Sequence, residues 1–203
     1  MSSSEAGAIG VLGSAFNPPH LGHLALAQEA LWQLGLDEVV FVPTGQAPHK
    51  RIADEPGPQV RMEMTRLAAA EDARFSVSAL EVEREGPSYT YETLEALAEE
   101  RADTQLVFVM GADAAVGLES WRNPERVVEL ASLAVARRAG VSEADVAAVL
   151  RSLGCEERAT MLEMPRFGVS SSAVRERASQ GRPLRYLVPD AVASFVEERG
   201  LYR

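Results

Sequence analysis

Three stretches of the chain carry side chains able to do chemistry. In Gly13-Ser14-Ala15-Phe16-Asn17-Pro18-Pro19-His20-Leu21-Gly22-His23, two of the three histidines stand three residues apart. In Val169-Ser170-Ser171-Ser172-Ala173-Val174-Arg175, a run of hydroxyls leads to an arginine one helical turn further on. Pro48-His49-Lys50-Arg51 is the one tight basic cluster outside a predicted helix. The histidine pair has three readings. One imidazole could be a hydrogen-bonding group at a helix end. As metal ligands the two lack a third partner, because His49 and Cys155 are the only other histidine and cysteine and no His-Glu-x-x-His occurs. As anion contacts, imidazole N–H groups and first-turn amides would donate to phosphate oxygens, and Gly22 would allow close approach. The serine run reads most simply as a helix cap. With the cap at Ser171 or Ser172, however, the third helical position is Val174 or Arg175, and a capping box wants Glu or Gln there. Hydroxyls, amides and a guanidinium would then converge on an anion.

The elements that must position these groups can be read from periodicity. Ala8–Leu12 is a buried strand, and a helix begins near Leu21 with Leu24, Ala27, Leu31 and Leu34 on one face and Gly35 as terminator. Val39–Val42 is a second strand ended by Pro43, and residues 44–58 form a loop. Val60–Ala70 is helical, Phe75–Val82 alternates like one or two short strands, and a helix capped at Ser88 or Thr90 follows. Leu106–Met110 is a strand ended by Gly111-Ala112-Asp113, after which a short helix leads to Trp121. Leu133–Ala136 ends at Arg137-Arg138, a helix capped by Ser142 runs to Leu153, and Thr160–Glu163 is a last short strand. A helix from Ser170 to Gln180 and a closing helix from Pro189 to Arg199 complete the chain.

Strands alternating with helices, and strands that are continuous Val/Leu/Phe runs, predict an α/β architecture: a three-layer, Rossmann-like, mostly parallel sheet with helices on both faces. Ligands of such sheets lie beyond the strands' C-terminal ends, where the histidine turn, the Lys50 loop, Asp113 and Arg138 all fall. The 203 residues, 46% of them hydrophobic, are enough for a single domain over 1–203. A net charge of −10 argues against nucleic acid or an anionic membrane as partner, so an anionic ligand must be held locally. No apolar run approaches the ~20 residues that span a bilayer, no basic leader precedes an apolar one, and one cysteine cannot form an intrachain disulfide, so a cytoplasmic location is expected.

No Walker A pattern, no Gly-x-Gly-x-x-Gly after the first strand and no Gly-x-Ser-x-Gly elbow is present. Phe16-x-Pro18-x-His20-x-Gly22-His23 near the start and Ser170-Ser171-Ser172-x-Val174-Arg175 near the end resemble the nucleotidyltransferase superfamily marked by His-x-Gly-His and Ser-Ser/Thr-x-x-Arg. Pro48-His49-Lys50, Pro87-Ser88-Tyr89-Thr90, Gly111-Ala112-Asp113, Trp121, Arg137-Arg138 and Gly200-Leu201-Tyr202-Arg203 resemble bacterial nicotinate-nucleotide adenylyltransferases within it. Three positions depart from that family: Ser14 stands where a second glycine is common, Ser172 where threonine is usual, and Arg122 where an aromatic or another polar residue often follows the tryptophan.

The resemblance implies transfer of AMP from ATP to nicotinate mononucleotide, giving deamido-NAD and pyrophosphate with Mg2+. It implies one nucleotidyltransferase domain, residues 168–203 being a C-terminal helical portion that carries the serine motif. His20, His23, Lys50 and Arg175 would act on the phosphates. Gly13, Ser14, Ala15, Phe16, Gly22, Asp113, Val169, Ser171 and Ser172 would line the ATP site, with Asp113 on ribose hydroxyls. Thr44, Ser88, Tyr89, Thr90, Trp121, Arg122 and Arg138 would receive the acceptor, its pyridinium stacked on Trp121 and its carboxylate on Thr44, Thr90 and nearby amides. The partners are small molecules, with a homo-oligomer compatible. The alternatives are a sibling enzyme using nicotinamide mononucleotide or phosphopantetheine, and a non-catalytic nucleotide sensor.

Overall fold

The computed structural model describes residues 7–48, 54–165 and 167–203. In chain order the elements are β1 (Ala8–Ser14), α1 (Leu21–Leu34), β2 (Glu38–Pro43), α2 (Pro58–Ala69), β3 (Phe75–Val77), α3 (Leu80–Glu83), α4 (Thr90–Glu100) and β4 (Gln105–Gly111). There follow α5 (Ala112–Val116), α6 (Pro124–Leu130), β5 (Ala131–Ala136), α7 (Glu143–Ser152), β6 (Ala159–Leu162), α8 (Ser171–Ser179) and α9 (Asp190–Glu198). The six strands form one parallel sheet in the order β3-β2-β1-β4-β5-β6, with helices around it. This is the strand order of a doubly wound, Rossmann-like fold, as the alternation of elements predicted.

The chain divides into two compact units. The first comprises Met1–Leu12, Leu26–Val39 and Tyr89–Pro165. Here β1 pairs with β4 from Ala8↔Gln105 to Val11↔Phe108, β4 with β5 from Leu106↔Ala131 to Gly111↔Ala136, and β5 with β6 from Leu133↔Ala159 to Ala136↔Leu162. Val109, Leu133, Ala134 and Val135 are buried, which is why these strands read as unbroken apolar runs. Within this unit α4 packs on α6 and α5 on α7, with Leu94 and Leu97 of α4 buried as their spacing predicts.

The second unit comprises Gly13–Ala25, Val40–Ser88 and Arg166–Arg203. Its core joins Met64 and Ala68 of α2, Val174 and Ala178 of α8, and Val192, Ala193 and Val196 of α9, with Leu24 and Val169 packed against it. A fully buried aliphatic side chain of this kind contributes about 1.5–3 kcal/mol. The start of α1 and the start of α8 are thus anchored on the same hydrophobic cluster.

Several local expectations are corrected. Only Phe75–Val77 of the alternating 75–82 stretch is a strand, and Leu80–Glu83 is one turn of helix. The Ser78 hydroxyl accepts the Leu80 N–H at 3.3 Å, so a serine-initiated turn interrupts the extended run. Helix α6 was not expected; left-handed Asn123 and Pro124 at its first turn start it. Neither Ser88 nor Thr90 caps α4, whose cap position is Tyr89 with no side-chain bond, and Ser142 occupies the cap position of α7 without a side-chain bond. The cap of α8 is Ser170 rather than Ser171 or Ser172: its hydroxyl accepts the Ala173 N–H at 3.2 Å.

Candidate active site

In the second unit, β1 ends at Ser14 and the chain turns through Phe16, a left-handed residue with φ of 48° that is 1% exposed. Ser14 is not among the residues with positive φ, and its carbonyl accepts the Thr44 N–H at 2.9 Å. A serine therefore suits this position, and the conformational demand falls on Phe16. The Phe16 ring meets His23 edge-on at 5.0 Å and Phe41 at 5.6 Å. Burial of the ring offsets the roughly 1 kcal/mol or more that a left-handed bulky residue costs.

Polar groups hold this turn from several sides. Arg61 Nη1 donates to the Ala15 carbonyl at 2.7 Å, and Arg175 Nη1 to the Asn17 carbonyl at 2.9 Å. The Ser171 hydroxyl donates to the Pro18 carbonyl at 2.9 Å, and the Tyr202 hydroxyl to Asn17 Oδ1 at 2.7 Å. Burial pushes the Tyr202 phenol well above its ordinary value. A proton held more tightly in the folded state stabilises fully below the phenol's unfolded pKa of about 10, and that contribution is lost as pH rises beyond it. Tyr202→Phe is therefore expected to lower stability at neutral pH by about 1 kcal/mol. It should also flatten the alkaline limb of the stability profile, as pH-dependent denaturant melts would measure.

The two imidazoles stack with centroids 3.8 Å apart. His23 Nδ1 accepts the backbone N–H of His20 at 3.1 Å, which in a neutral ring places the proton on Nε2 and makes that nitrogen a donor. A Cβ added at Gly22 would come within 3.1 Å of the His20 ring. The glycine thus makes room first for His20, a neighbour not anticipated for it. The amides at the start of α1 are largely committed: Leu21 N–H goes to the Leu187 carbonyl at 3.0 Å and His23 N–H to the His20 carbonyl at 2.9 Å.

At α8, Ser171 and Ser172 supply the first two amides of the helix, which have no intrahelical acceptor. Arg175 Nε donates to Asp54 Oδ2 at 3.1 Å and Nη2 lies 3.4 Å from the Ser172 hydroxyl. The Arg175 side chain is 13% exposed, whereas Asp54 is 66% exposed. An exposed carboxylate adds little stability, so an incoming phosphate oxygen can take its place on the guanidinium. The imidazole pair, the α8 start and Arg175 are thus brought together on one turn, and Val169 packs beside Gly22, 3.4 Å from a Cβ built there. Lys50 and His49 lie outside the described residues.

The loop after β2 is equally committed. Thr44 donates to Ser14, and the amides of Gly45 and Gln46 donate to the Ser88 hydroxyl at 3.1 and 3.3 Å. Ser88, expected at the acceptor, is buried and braces this loop.

The first unit carries the remaining predicted residues. Asp113 opens α5 just beyond β4, and Arg138 follows β5 and approaches both Asp113 carboxylate oxygens at 3.3 and 3.4 Å. Both side chains are more than half exposed, so this pair is readily re-partnered by a ligand. Trp121 is half-buried with its ring edge-on to Phe108 at 6.0 Å, and Arg122 beside it is exposed. Tyr89 stacks on Tyr91 at 6.2 Å and is the cap residue of α4, where its side chain makes no cap bond; Thr90 begins the helix. Arg137 pairs with Glu143 at 2.9 Å and with Glu163.

Among the described residues no three His, Cys, Asp or Glu side chains are grouped to hold a metal ion. A divalent ion carried by a nucleotide's phosphates would be part of the substrate.

Arg61, Gly45 and the Asn17–Tyr202 contact join the site without belonging to any of its sequence motifs. Arg61 had a signal: it falls in step with Met64, Thr65 and Ala68 on the buried face of α2, where a charged residue needs partners. The others depend on non-local contacts with no periodic trace.

With its parallel sheet, strand-end histidines and serine-started helix, the chain belongs to the cytidylyltransferase-like family, which residues 11–177 match. It is similar to proteins named "Probable nicotinate-nucleotide adenylyltransferase" in Synechococcus sp. (strain JA-3-3Ab) and Roseiflexus sp. (strain RS-1). The first is 42% identical over 96% of this chain and 94% of that protein, and the second 41% over 96% and 98%. Among solved structures it resembles Plasmodium falciparum nicotinic acid mononucleotide adenylyltransferase complexed with NaAD, with a TM-score of 0.78 and 97% of each chain covered. At 16% identity that likeness is one of fold. No described helix is long and apolar enough to cross a membrane.

Proposed function

We infer that this chain is a nicotinate-nucleotide adenylyltransferase, transferring AMP from ATP to nicotinate mononucleotide to form deamido-NAD and pyrophosphate in NAD biosynthesis. The observation that carries this is identity of about 40% over nearly the whole chain to proteins named for that activity. The second unit's geometry supports it chemically.

The nucleophile is a phosphate oxygen of the mononucleotide, already ionised near neutral pH, so no general base is needed. It forms a bond to the ATP α-phosphorus while the bond from that phosphorus to the bridging oxygen breaks, and pyrophosphate leaves with the electron pair. Catalysis then consists of alignment and charge stabilisation. His23, its Nδ1 occupied by the His20 amide, offers Nε2–H to the α-phosphoryl oxygens as their charge grows. His20, Arg175, Lys50 and the Ser171 and Ser172 amides hold the other phosphates. Gly13, Ser14, Ala15 and Phe16 shape the turn, and Mg2+ enters as the ion of Mg·ATP. Asp113 takes ribose hydroxyls, Trp121 the pyridinium face, and Arg138 an acceptor phosphate. The acceptor carboxylate is assigned to the start of α4 at Thr90, since the amides of Thr44, Gly45 and Gln46 have internal partners. We assign all of this to one nucleotidyltransferase domain working in the cytoplasm.

A pyrophosphate-release assay with an acceptor panel tests the reading. Nicotinate mononucleotide is expected to be the preferred acceptor, because helix-start amides favour a carboxylate over a carboxamide. Faster turnover of nicotinamide mononucleotide or phosphopantetheine would assign the enzyme to a sibling activity, and no turnover with any acceptor would leave a nucleotide sensor. Arg175→Ala should raise the ATP dissociation constant about 10- to 100-fold, as loss of a charged hydrogen-bond donor does. Native affinity of that variant in an ATP titration would remove Arg175 from the phosphate site.

A further inference from the structure

Arg61 is 0% exposed, the most deeply buried charged side chain among the described residues. Its position is unfavourable to a cation on two counts. It lies on the face of α2 that points into the core, and it stands one turn from the helix N-terminus, at the positive end of the dipole. The guanidinium is held by three oxygens in three directions: Glu55 Oε1 at 2.8 Å from Nε, the Ala15 carbonyl at 2.7 Å from Nη1, and the Gly45 carbonyl at 3.1 Å from Nη2. Glu55 supplies the balancing charge. The two carbonyls belong to the histidine turn and to the loop after β2.

Each of those carbonyls sits at a tightly specified point. Ala15 immediately precedes left-handed Phe16, and Asn17 on its other side is held by Arg175. The acids opposite the two arginines are consecutive, Asp54 for Arg175 and Glu55 for Arg61. Gly45 donates its amide to Ser88, and its Cα faces the Glu81 carbonyl so closely that a Cβ would lie 2.0 Å from that oxygen. A rigid planar fork whose two terminal nitrogens each take one carbonyl fixes the separation of the two segments, which a lysine with a single nitrogen cannot do. Glu55 is one-third exposed, so the guanidinium is the buried member of the pair; stability alone does not call for a charge at this position, because apolar replacement of a buried charge together with its partner is often neutral or stabilising.

We propose that Arg61 is a positioning residue for adenylyl transfer: through the Ala15 and Gly45 carbonyls it sets the spacing of the histidine turn and the Thr44–Gln46 loop, and it touches no substrate. The proposal rests on the adenylyltransferase reading, so wild-type turnover with ATP and nicotinate mononucleotide is measured first; its absence would count against that reading and not against Arg61.

The test compares Arg61→Lys with wild type at a temperature well below both melting points. The expected result is a kcat lower by about 30- to 100-fold, the scale of a small misplacement of reacting groups, with the KM for ATP changed by less than about threefold. A near-native kcat accompanied only by a lower Tm would make Arg61 an ordinary core residue and overturn the proposal. Should Arg61→Lys fail to fold, the charge-neutral double variant Arg61→Gln/Glu55→Gln is read by the same criterion. Failure of both to fold would overturn the proposal as well, by assigning Arg61 to folding.

Discussion

His23→Ala is expected to lower kcat by about 10²- to 10³-fold while leaving the KM for ATP within a few-fold of wild type, the loss seen when one donor to a developing charge is removed. Three features set this expectation. The ring is oriented by the His20 amide on Nδ1, so its remaining nitrogen is a fixed donor. Phe16 meets one side of the ring edge-on and His20 stacks against it, so a ligand does not have to order it. The interaction strengthens only as charge builds on the α-phosphoryl, so its loss appears in turnover more than in binding. The variant also leaves the His20 amide without its acceptor, which costs about 1 kcal/mol and should lower Tm slightly. Steady-state kinetics well below that Tm isolates the catalytic effect, and an unchanged kcat would remove His23 from the mechanism. His23→Asn, whose amide can still donate, should recover part of the loss.

Gly45→Ala is expected to be the most destabilising single-methyl change in the second unit. The added Cβ would lie 2.0 Å from the Glu81 carbonyl oxygen and 2.8 Å from its carbon, and both are backbone atoms that no rotamer change can move. Relief requires a shift of the 44–46 loop, which would strain its bonds to Ser88 and Arg61. Overpacking of this kind costs about 3 kcal/mol, equivalent to a fall in Tm of about 6–12 °C for a chain of this size. A thermal melt within 2 °C of wild type, far under the range of about 6–12 °C, would mean the loop relaxes freely. Because the same loop receives Arg61, kcat should fall along with stability.

The parts of the fold that could be read from sequence are those encoded locally. β4 and β5 showed as unbroken apolar runs because they are buried on both faces, and α1 stopped where Gly35 takes its φ of 62°. The histidine turn and the serine run were legible because residue type and short spacing carry their chemistry. What was hidden depends on distant partners. The cap of α8 is Ser170 because Ser171 reaches Pro18, and Ser88 does not cap α4 because its hydroxyl accepts the Gly45 and Gln46 amides. Counting amides at the start of α1 requires knowing that the Leu187 carbonyl lies against Leu21, a contact spanning most of the chain. Arg61 lies between these cases: its position on a buried helical face was visible, but the two carbonyls that give it a purpose were not.

The histidine turn is assigned the transfer of an intact adenylyl group. Incubating the protein with Mg·ATP labelled at the α-phosphorus, with and without nicotinate mononucleotide, tests it most directly. Label is expected in deamido-NAD only when the mononucleotide is present, with one unlabelled pyrophosphate released per dinucleotide formed. Label recovered in ADP or AMP, or pyrophosphate released at the same rate without the acceptor, would contradict that assignment.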